Sequence, residues 1–471
     1  MLASLLVALA MLTVRSRFDD PDMWWHLRMG EIVCATGHIP TTDIFSYTTN
    51  HHSWVPHEWL SQVTIYAAYE LGGYRGLMLW LCLTTASLLV AGYLLCSLYA
   101  GNSKIGMAGA MLIWFFATAG TAIRPQMIGY LLLTIELLLL HLGLTRSRRW
   151  FAALPPLFAI WVNCHGSFFL GLATAFVLLL CSGLEFRAGS LAAARWPAGA
   201  RRALAISMFF CLLALFLNPV GIHQILYPLD TLLRQPVSLK NVQEWMPLQI
   251  TDPRGGALAA VAAGILLLAA MGRAEIRLQE LALLIVGAWL ALNHRRMVFV
   301  FGILVAPMVS RMLADWWDGY NAERDHPAAN AVLIALALAA AYLAFPSSRN
   351  LAGQVAEKSP VKAVEFIKAH HLAGPMMNDY VFGGYLIWAL PEQPVFIDGR
   401  GDVFEWTSVL TDYGRWATLE SRPNELLDKY RVAFCLLSRD SPMVQVLPLL
   451  GNWGEAYSDN QSVIFVRTPK V

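Results

Sequence analysis

The chain has 471 residues, 57% of them hydrophobic and only 14% charged, with a mean hydropathy of +0.51. A soluble domain carries about a quarter charged residues, so the composition excludes an ordinary soluble globular protein. A net charge of +2 with no basic run excludes a nucleic-acid partner.

Leu2–Val14 is short for a membrane span, but Arg15-Ser16-Arg17 follows it rather than a small-residue cleavage site. It therefore reads as a first transmembrane helix and not as a signal-peptide core. Residues 15–75 form a long polar and aromatic first loop. Helices are expected over 23–36 and 57–71, with a break at Gly37-His38-Ile39-Pro40. Apolar blocks then follow at 76–99, 105–123, 126–145, 151–163, 166–185, 203–217, 256–272, 278–293, 297–313 and 329–345. With the first helix they make about eleven spans, most of them near the ~20 residues that cross ~30 Å of hydrocarbon.

Charge sets the orientation. With a cytoplasmic N-terminus, the inner loops hold Lys104, Arg146, Arg148, Arg149, Arg187, Arg195, Arg201, Arg202, Arg273, Arg277, Arg311 and Arg324. The outer loops after the first hold Arg124, Arg234, Lys240, Arg254, Arg295 and Arg296, which makes twelve against six. That is the bias of the positive-inside rule. It puts the first loop and the C-terminal region on the extracytoplasmic side.

From about residue 346 the composition becomes that of a soluble domain. An amphipathic helix is expected over 360–371, strands over 375–379, 394–398, 431–438 and 462–467, and helices over 425–430 and 443–450. Such alternation predicts a small α/β layer. The fold class is thus an α-helical polytopic membrane protein, residues 1–345, followed by a soluble α/β domain, residues 346–471. Five of the seven cysteines lie in or beside apolar blocks, and no spacing suggests a disulfide pair or a zinc cluster.

The chemistry-bearing stretch is Phe18-Asp19-Asp20-Pro21-Asp22-Met23-Trp24-Trp25-His26-Leu27, with three carboxylates within four residues. Pro21 keeps the chain from simply continuing the first helix, and the tryptophans suit the membrane interface. A carboxylate held there is able to take a proton from an attacking hydroxyl or amine; the same pattern also describes a solvated acidic loop. His57 and Glu58 open the next helix beside Trp59. With Asp20, Asp22 and His26 they have the donor types of a divalent-metal site, but in no standard metal spacing, and the plainer reading is a helix-capping Glu58 with an interfacial His57. Polar groups at span ends are costly and so point to function. They are Arg124-Pro125-Gln126, Asn163 with His165, Asn218-Pro219 and His294-Arg295-Arg296. Arginine in such a place either clamps a phosphate with its planar fork or snorkels to the interface.

Taken together, Asp20-Pro21-Asp22, Trp24-Trp25-His26-Leu27, Gly37-His38-Ile39-Pro40-Thr41-Thr42-Asp43 and His57-Glu58-Trp59-Leu60 resemble the first loop of the GT-C superfamily of membrane glycosyltransferases. Gly383-Gly384-Tyr385-Leu386 and Phe396-Ile397-Asp398-Gly399-Arg400 resemble the C-terminal domains of bacterial GT-C-like proteins. That superfamily includes protein O-mannosyltransferases, aminoarabinose transferases and oligosaccharyltransferases. The resemblance implies an acidic base at the outer end of the first helix, Asp20 or Asp22. It also implies a polyprenyl-phosphate-linked sugar donor bound by Arg124, Arg295 and Arg296, with His165, His57 and Glu58 as further substrate contacts. The short second outer loop, Ile123 to Gln126, lacks the second acidic motif of oligosaccharyltransferases, which argues against metal-dependent amide activation; a divalent metal is permitted but not required. A non-catalytic scaffold for envelope polysaccharide and a transporter of lipid-linked sugars are the competing readings, although no internal repeat favours a transporter. The Asp398–Asp402 turn is expected either to face the membrane domain and touch the acceptor or the first loop, or to be shaped simply by an Asp398–Arg400 pair. The implied location is the bacterial cytoplasmic membrane.

The charge bias carries one expectation directly. A reporter fused after Val471 is expected to be active only outside the cytoplasm, and one inserted near Arg195 only inside it; the reverse pattern would invert the topology.

Overall fold

The computed structural model describes residues 1–15, 17–49, 51–235, 243–319, 321 and 326–468. Lys240 and Arg324, counted above in the charge bias, lie outside the described residues.

In chain order the elements are α1 (Leu2–Val14), α2 (Met23–Thr36), α3 (Trp59–Ala100), α4 (Ser103–Ala117), α5 (Gln126–Thr145), α6 (Leu154–Cys164), α7 (Phe168–Cys181), β1 (Phe186–Ala188), β2 (Leu191–Ala193), α8 (Ala198–Ala214), α9 (Ile222–Arg234), α10 (Pro253–Ala270), β3 (Ile276–Arg277), α11 (Leu278–Asn293), α12 (Val298–Met312) and α13 (Pro327–Ala344). The C-terminal region continues with α14 (Ser348–Lys358), α15 (Val361–Ala369), β4 (Met376–Asn378), α16 (Tyr380–Ala389), α17 (Val409–Ala417), α18 (Pro423–Lys429), β5 (Phe434–Ser438), β6 (Trp453–Ser458) and β7 (Ser462–Arg467).

Every segment read as a span falls on a helix. Four of the described helices, α3, α5, α10 and α13, are both long and apolar enough to cross a membrane, while α1, α4, α7 and α11 are apolar but shorter. Local chemistry sets the ends. Asn102 caps α4 through the Lys104 and Ile105 amides, and Asp252 caps α10 through the Arg254 amide with Pro253 at its first position. Gly37 closes α2 in a left-handed conformation at φ 67°. The helix expected over 57–71 and the span expected over 76–99 are one helix, α3, bent at Gly73. Gly73 adopts φ 56° and ψ −138°, a region that only glycine enters readily.

The chain divides into two compact units. The first comprises Met1–Arg15, Leu79–Pro228 and Val242–Phe345; the second comprises Ser16–Met78, Leu229–Asn241 and Pro346–Val471. The first loop therefore groups with the C-terminal residues.

In the first unit α12 is central, buried along nearly its whole length, and packs against α4 and α11. Close approach needs small residues: a Cβ on Gly109 would stand 2.3 Å from Ser310 Oγ, and one on Gly302 would stand 2.8 Å from the Phe116 Cβ. By contrast α13 buries only Ala341 among its residues, as a lipid-facing helix does. Glu136 on α5 is fully buried, and neither carboxyl oxygen has a hydrogen-bond partner. A small sheet that the sequence reading did not anticipate, β1-β2-β3, joins the loop after α7 to the start of α11, with Leu191 opposite Ile276.

The second unit is built on a four-stranded sheet of order β4-β5-β7-β6, parallel between β4 and β5 and antiparallel elsewhere. Three of the expected strands are found; residues 394–398 are not a sheet strand. The side chain of Asn378 occupies their backbone instead, accepting from the Phe396 amide at 2.7 Å and donating to the Ile397 carbonyl at 2.8 Å. Val395 pairs with the first loop: its amide donates to the Phe45 carbonyl at 2.9 Å, and its carbonyl accepts from the Tyr47 amide at 3.2 Å. The first loop is thus an added edge of the C-terminal layer. α16, a helix the sequence reading also missed, packs against α2.

A buried ion cluster holds this edge. Arg400 donates from Nη1 to Asp43 Oδ1 at 2.8 Å, and from Nε and Nη2 to the two Asp398 oxygens at 2.8 and 2.6 Å. All three side chains are fully enclosed, and the guanidinium lies over the rings of Phe45 and Trp54. Burial alone would raise the Asp43 carboxyl. Arg400, the Ser46 and Thr49 hydroxyls and the Phe45 amide hold it below the ordinary carboxylate value instead. Removing one partner from a buried ion cluster leaves an uncompensated charge, at a cost of about 3–5 kcal/mol. Arg400→Met should therefore unfold the second unit, or lower its denaturant midpoint, far more than the combined change Asp43→Asn, Asp398→Asn, Arg400→Met.

Candidate functional site

Two groups of polar residues stand out, one in each unit. In the first unit, Arg124 precedes α5 and Arg296 precedes α12. Both reach Glu244: Arg124 Nη1 at 2.6 Å and Arg296 Nη1 at 3.8 Å. Arg296 also donates from Nη2 to Gln126 Oε1 at 3.0 Å and lies over the Trp245 ring at 4.6 Å. Partial burial of Glu244 raises its carboxyl, but Arg124 and then Arg296 outweigh this and bring it down to about 2. Glu244 is therefore ionised at neutral pH, and its attraction to the arginines is complete above about pH 4.5 and lost as the pH falls towards about 2. Arg295 turns elsewhere: it pairs with Asp252 at 3.2 Å and is nearly half exposed. His165 ends α6, and its Nδ1 accepts from the Ser167 amide at 3.1 Å. A Cβ on Gly129 would stand 2.9 Å from that nitrogen, so His165 lies against the first turn of α5.

The second group holds the first-loop acids. Asp19 is exposed, whereas Asp20 and Asp22 are half-buried. Asp20 Oδ1 accepts from the Asp22 amide at 2.9 Å, which fixes the turn around Pro21. Gly384 and Gly399 admit this turn. A Cβ on Gly384 would stand 2.1 Å from the Pro21 carbonyl oxygen, and one on Gly399 would stand 1.7 Å from Asp22 Oδ1. The expected contact of the Asp398–Asp402 turn with the first loop is present, through Gly399 on Asp22 and Arg400 on Asp43. Glu58 bridges two imidazoles, 3.8 Å from His26 Nδ1 and 3.6 Å from His57 Nε2. His26 is buried and also lies 3.2 Å from Gln62 Nε2. Burial lowers the His57 pKa, but Glu58 and Asp402 more than reverse this and raise it above its ordinary value. Among the described residues, no group of three or more His, Cys, Asp or Glu side chains is arranged to hold a metal ion.

Asp20, Asp22, His57, Glu58, Arg124, His165 and Arg296, the candidate residues named from the sequence, each sit in local polar contacts. The sequence reading grouped Arg295 with Arg124 and Arg296, whereas the structure gives Arg295 a separate acid. It assigned no role to Glu244 or Asp252, which are isolated acids in loops with no motif around them. Asp43 stood inside a motif already quoted, but its partner lies 357 positions away.

No protein-family model and no curated protein matches the chain. Solved structures do. The Archaeoglobus fulgidus oligosaccharyltransferase in its apo form superposes with a TM-score of 0.55 at 13% identity, over 93% of this chain and 69% of that one. ArnT from Cupriavidus metallidurans bound to undecaprenyl phosphate superposes with a TM-score of 0.54 at 13% identity, over 98% of both chains. The chain has a GT-C fold. Archaeal AglB from Archaeoglobus fulgidus, in complex with an inhibitory peptide and a dolichol-phosphate, is similar over 93% of this chain at a TM-score of 0.53 and 12% identity. The GT-C neighbours are polytopic membrane proteins, which agrees with the apolar helices of the first unit.

The glycine contacts give a test of the second group. Gly399→Ala must move the Asp22 carboxylate, because the new methyl overlaps it, whereas Gly414→Ala meets no atom within 4 Å. Gly399→Ala should lower the melting temperature of the protein and Gly414→Ala should not; equal behaviour of the two would mean that Asp22 is not held against the turn.

Proposed function

We propose that this chain is a GT-C glycosyltransferase that moves a sugar from a polyprenyl-phosphate donor to an acceptor at the extracytoplasmic face of the bacterial cytoplasmic membrane. The eleven-span topology, with the N-terminus cytoplasmic and the C-terminal domain outside, belongs to this proposal. The observation that carries it is the pair Arg124 and Arg296 converging on one carboxylate, Glu244, in a fold whose solved neighbours include proteins bound to dolichol-phosphate or undecaprenyl phosphate.

A carboxylate between two arginines marks a place where an anion is favoured. A donor phosphate has the same charge sign and more acceptor oxygens, so it suits the same guanidinium forks. In the proposed reaction the acceptor hydroxyl or amine attacks the anomeric carbon of the sugar. Its proton passes to a carboxylate, Asp20 or Asp22. The bond from the anomeric carbon to the phosphate oxygen breaks, and the electron pair leaves with the polyprenyl phosphate. Arg124 and Arg296 stabilise the charge that grows on that oxygen. His165, beside the first turn of α5, and His57 with Glu58 are further polar contacts for substrate. Arg295 has its own acid and contributes less.

Binding of undecaprenyl phosphate to the purified protein tests the arginines. Arg124→Gln and Arg296→Gln are each expected to weaken it roughly tenfold or more, because a hydrogen bond to a charged group contributes about 1.5–3 kcal/mol. Arg295→Gln should change it little, and Glu244→Gln should strengthen it by removing a competing anion. Unchanged binding in both the Arg124 and the Arg296 variants would reduce them to structural partners of Glu244.

The base is tested separately, by transfer of labelled sugar in membranes. Asn at position 20 or 22 keeps the size of aspartate but cannot take a proton, and loss of a base commonly costs about 10²–10⁴ in rate. At least one of Asp20→Asn and Asp22→Asn should abolish transfer in a folded protein, while Asp19→Asn does much less. The packing of Asp22 against Gly399 favours one competing reading, a non-catalytic scaffold in which the acids only shape the turn. Full activity in both folded variants would select that reading.

A further inference from the structure

In the first unit, the arginines at the two ends of the helices differ. Arg124 and Arg295–Arg296 lie at one end, where each has a carboxylate within 4 Å. At the other end of α5 and α11 stand Arg146, Arg148, Arg149, Arg202, Arg273 and Arg277, all exposed, and among the described residues none is ion-paired to a carboxylate. Of the acids nearby, Glu275 pairs with Arg187, Glu280 binds Arg311 through both its oxygens at 2.7 and 2.6 Å, and exposed Glu185 is a single acid beside the six arginines.

The fold draws these cations together. A Cβ on Gly199 would stand 2.0 Å from Arg148 Nη1, so the connection after α5 lies over the start of α8. The pairing of β2 with β3 brings the hairpin after α7 to the connection between α10 and α11. Arg146 and Arg277 both lie within electrostatic reach of the same side chain, His141. Exposed Trp150, Leu184 and Phe186 are interleaved with them.

We propose that this end of the first unit is a docking face for the phosphate headgroups of anionic phospholipid. Like charges that outnumber the unpaired acids repel one another, and an external anion relieves this. Large apolar side chains among the cations, at the ends of apolar helices, belong at the depth where hydrocarbon gives way to headgroups. A soluble acidic partner would leave Trp150, Leu184 and Phe186 without an apolar medium. The lipid phosphate supplies the anion and its acyl chain the apolar contact. This inference does not depend on the proposed transfer reaction.

The full-length protein in phosphatidylcholine vesicles, with trace spin-labelled phosphatidylglycerol or spin-labelled phosphatidylcholine, tests it through the motionally restricted lipid fraction. Each basic side chain near an anionic surface contributes on the order of fivefold in affinity at low salt. The wild-type protein should therefore retain phosphatidylglycerol severalfold more than phosphatidylcholine, with the preference shrinking in high salt. Combined Arg146→Gln, Arg148→Gln and Arg149→Gln should lower the ratio markedly, leaving only the share of Arg202, Arg273 and Arg277, while the three Lys substitutions at the same positions should preserve it. Equal retention of the two lipids by the wild-type protein would overturn the proposal, and so would an unchanged ratio in the Gln variant.

Discussion

A guanidinium taken wholly out of water has to find its counter-charge within the protein, and Arg400 finds it in two places that are far apart in sequence. Asp398 satisfies one edge of the fork from two residues away, and Asp43 satisfies another from the first loop. Neither acid can be removed from the other's reach without stranding a buried charge. Much of the second unit follows from that requirement. Residues 45–48 must lie along 395–396, so the first loop becomes an edge of the C-terminal layer. α2, which follows the acidic turn, then packs on α16. Trp24 meets Tyr385 edge-on with ring centres 5.1 Å apart, which adds an aromatic contact to the helix pair.

The arginines of the first unit obey the same rule with a different outcome. Glu244 keeps 43% of its side chain exposed, so its attraction to Arg124 and Arg296 is weakened by water. The Asp43–Arg400–Asp398 cluster has no such access and is fixed. One residue type thus plays two roles, separated by burial. A buried pair specifies structure, whereas Glu244, 43% exposed between arginines that are only 15% and 19% exposed, keeps its contact with water.

Much of the helical framework was legible in the sequence, because a run of apolar residues bounded by charges or glycine has few alternatives in a membrane. α1, α5 and α11 agree with the expected limits to the residue. Periodicity also located α2, β4, β5 and β7. It failed at Tyr380–Ala389, where Gly383 and Gly384 interrupt the helical pattern. Those glycines are there because α16 is approached on two sides, by the Ile397 and Pro21 carbonyls, and close tertiary approach leaves no periodic trace. It failed again at 394–398, whose strand-like composition is real but whose hydrogen bonds go to Asn378 and the first loop. The polar residues of the candidate site were visible as motifs, but their partners were not. Glu244, Asp252 and Asp43 are acids whose importance lies in what folds against them, and a single sequence does not print contacts.

The two motif groups, Asp20–Leu27 with Asp43 in the first loop and Gly383–Arg400 in the C-terminal domain, are best understood as the two halves of one contact. Gly384 makes room for the Pro21 carbonyl, Gly399 for the Asp22 carboxylate, and Arg400 holds Asp43. A substitution in the C-terminal half therefore acts on the acidic turn without touching any reacting group. Loss of activity in such a variant would locate a positioning effect, because the displaced carboxylate is still present and still ionisable. Loss in an Asp20 or Asp22 variant removes the carboxylate while leaving both glycines and the Arg400 cluster in place. The distinction between a base and the scaffold that aims it therefore rests on comparing the two kinds of change, and the packing of one motif on the other is what makes the comparison meaningful.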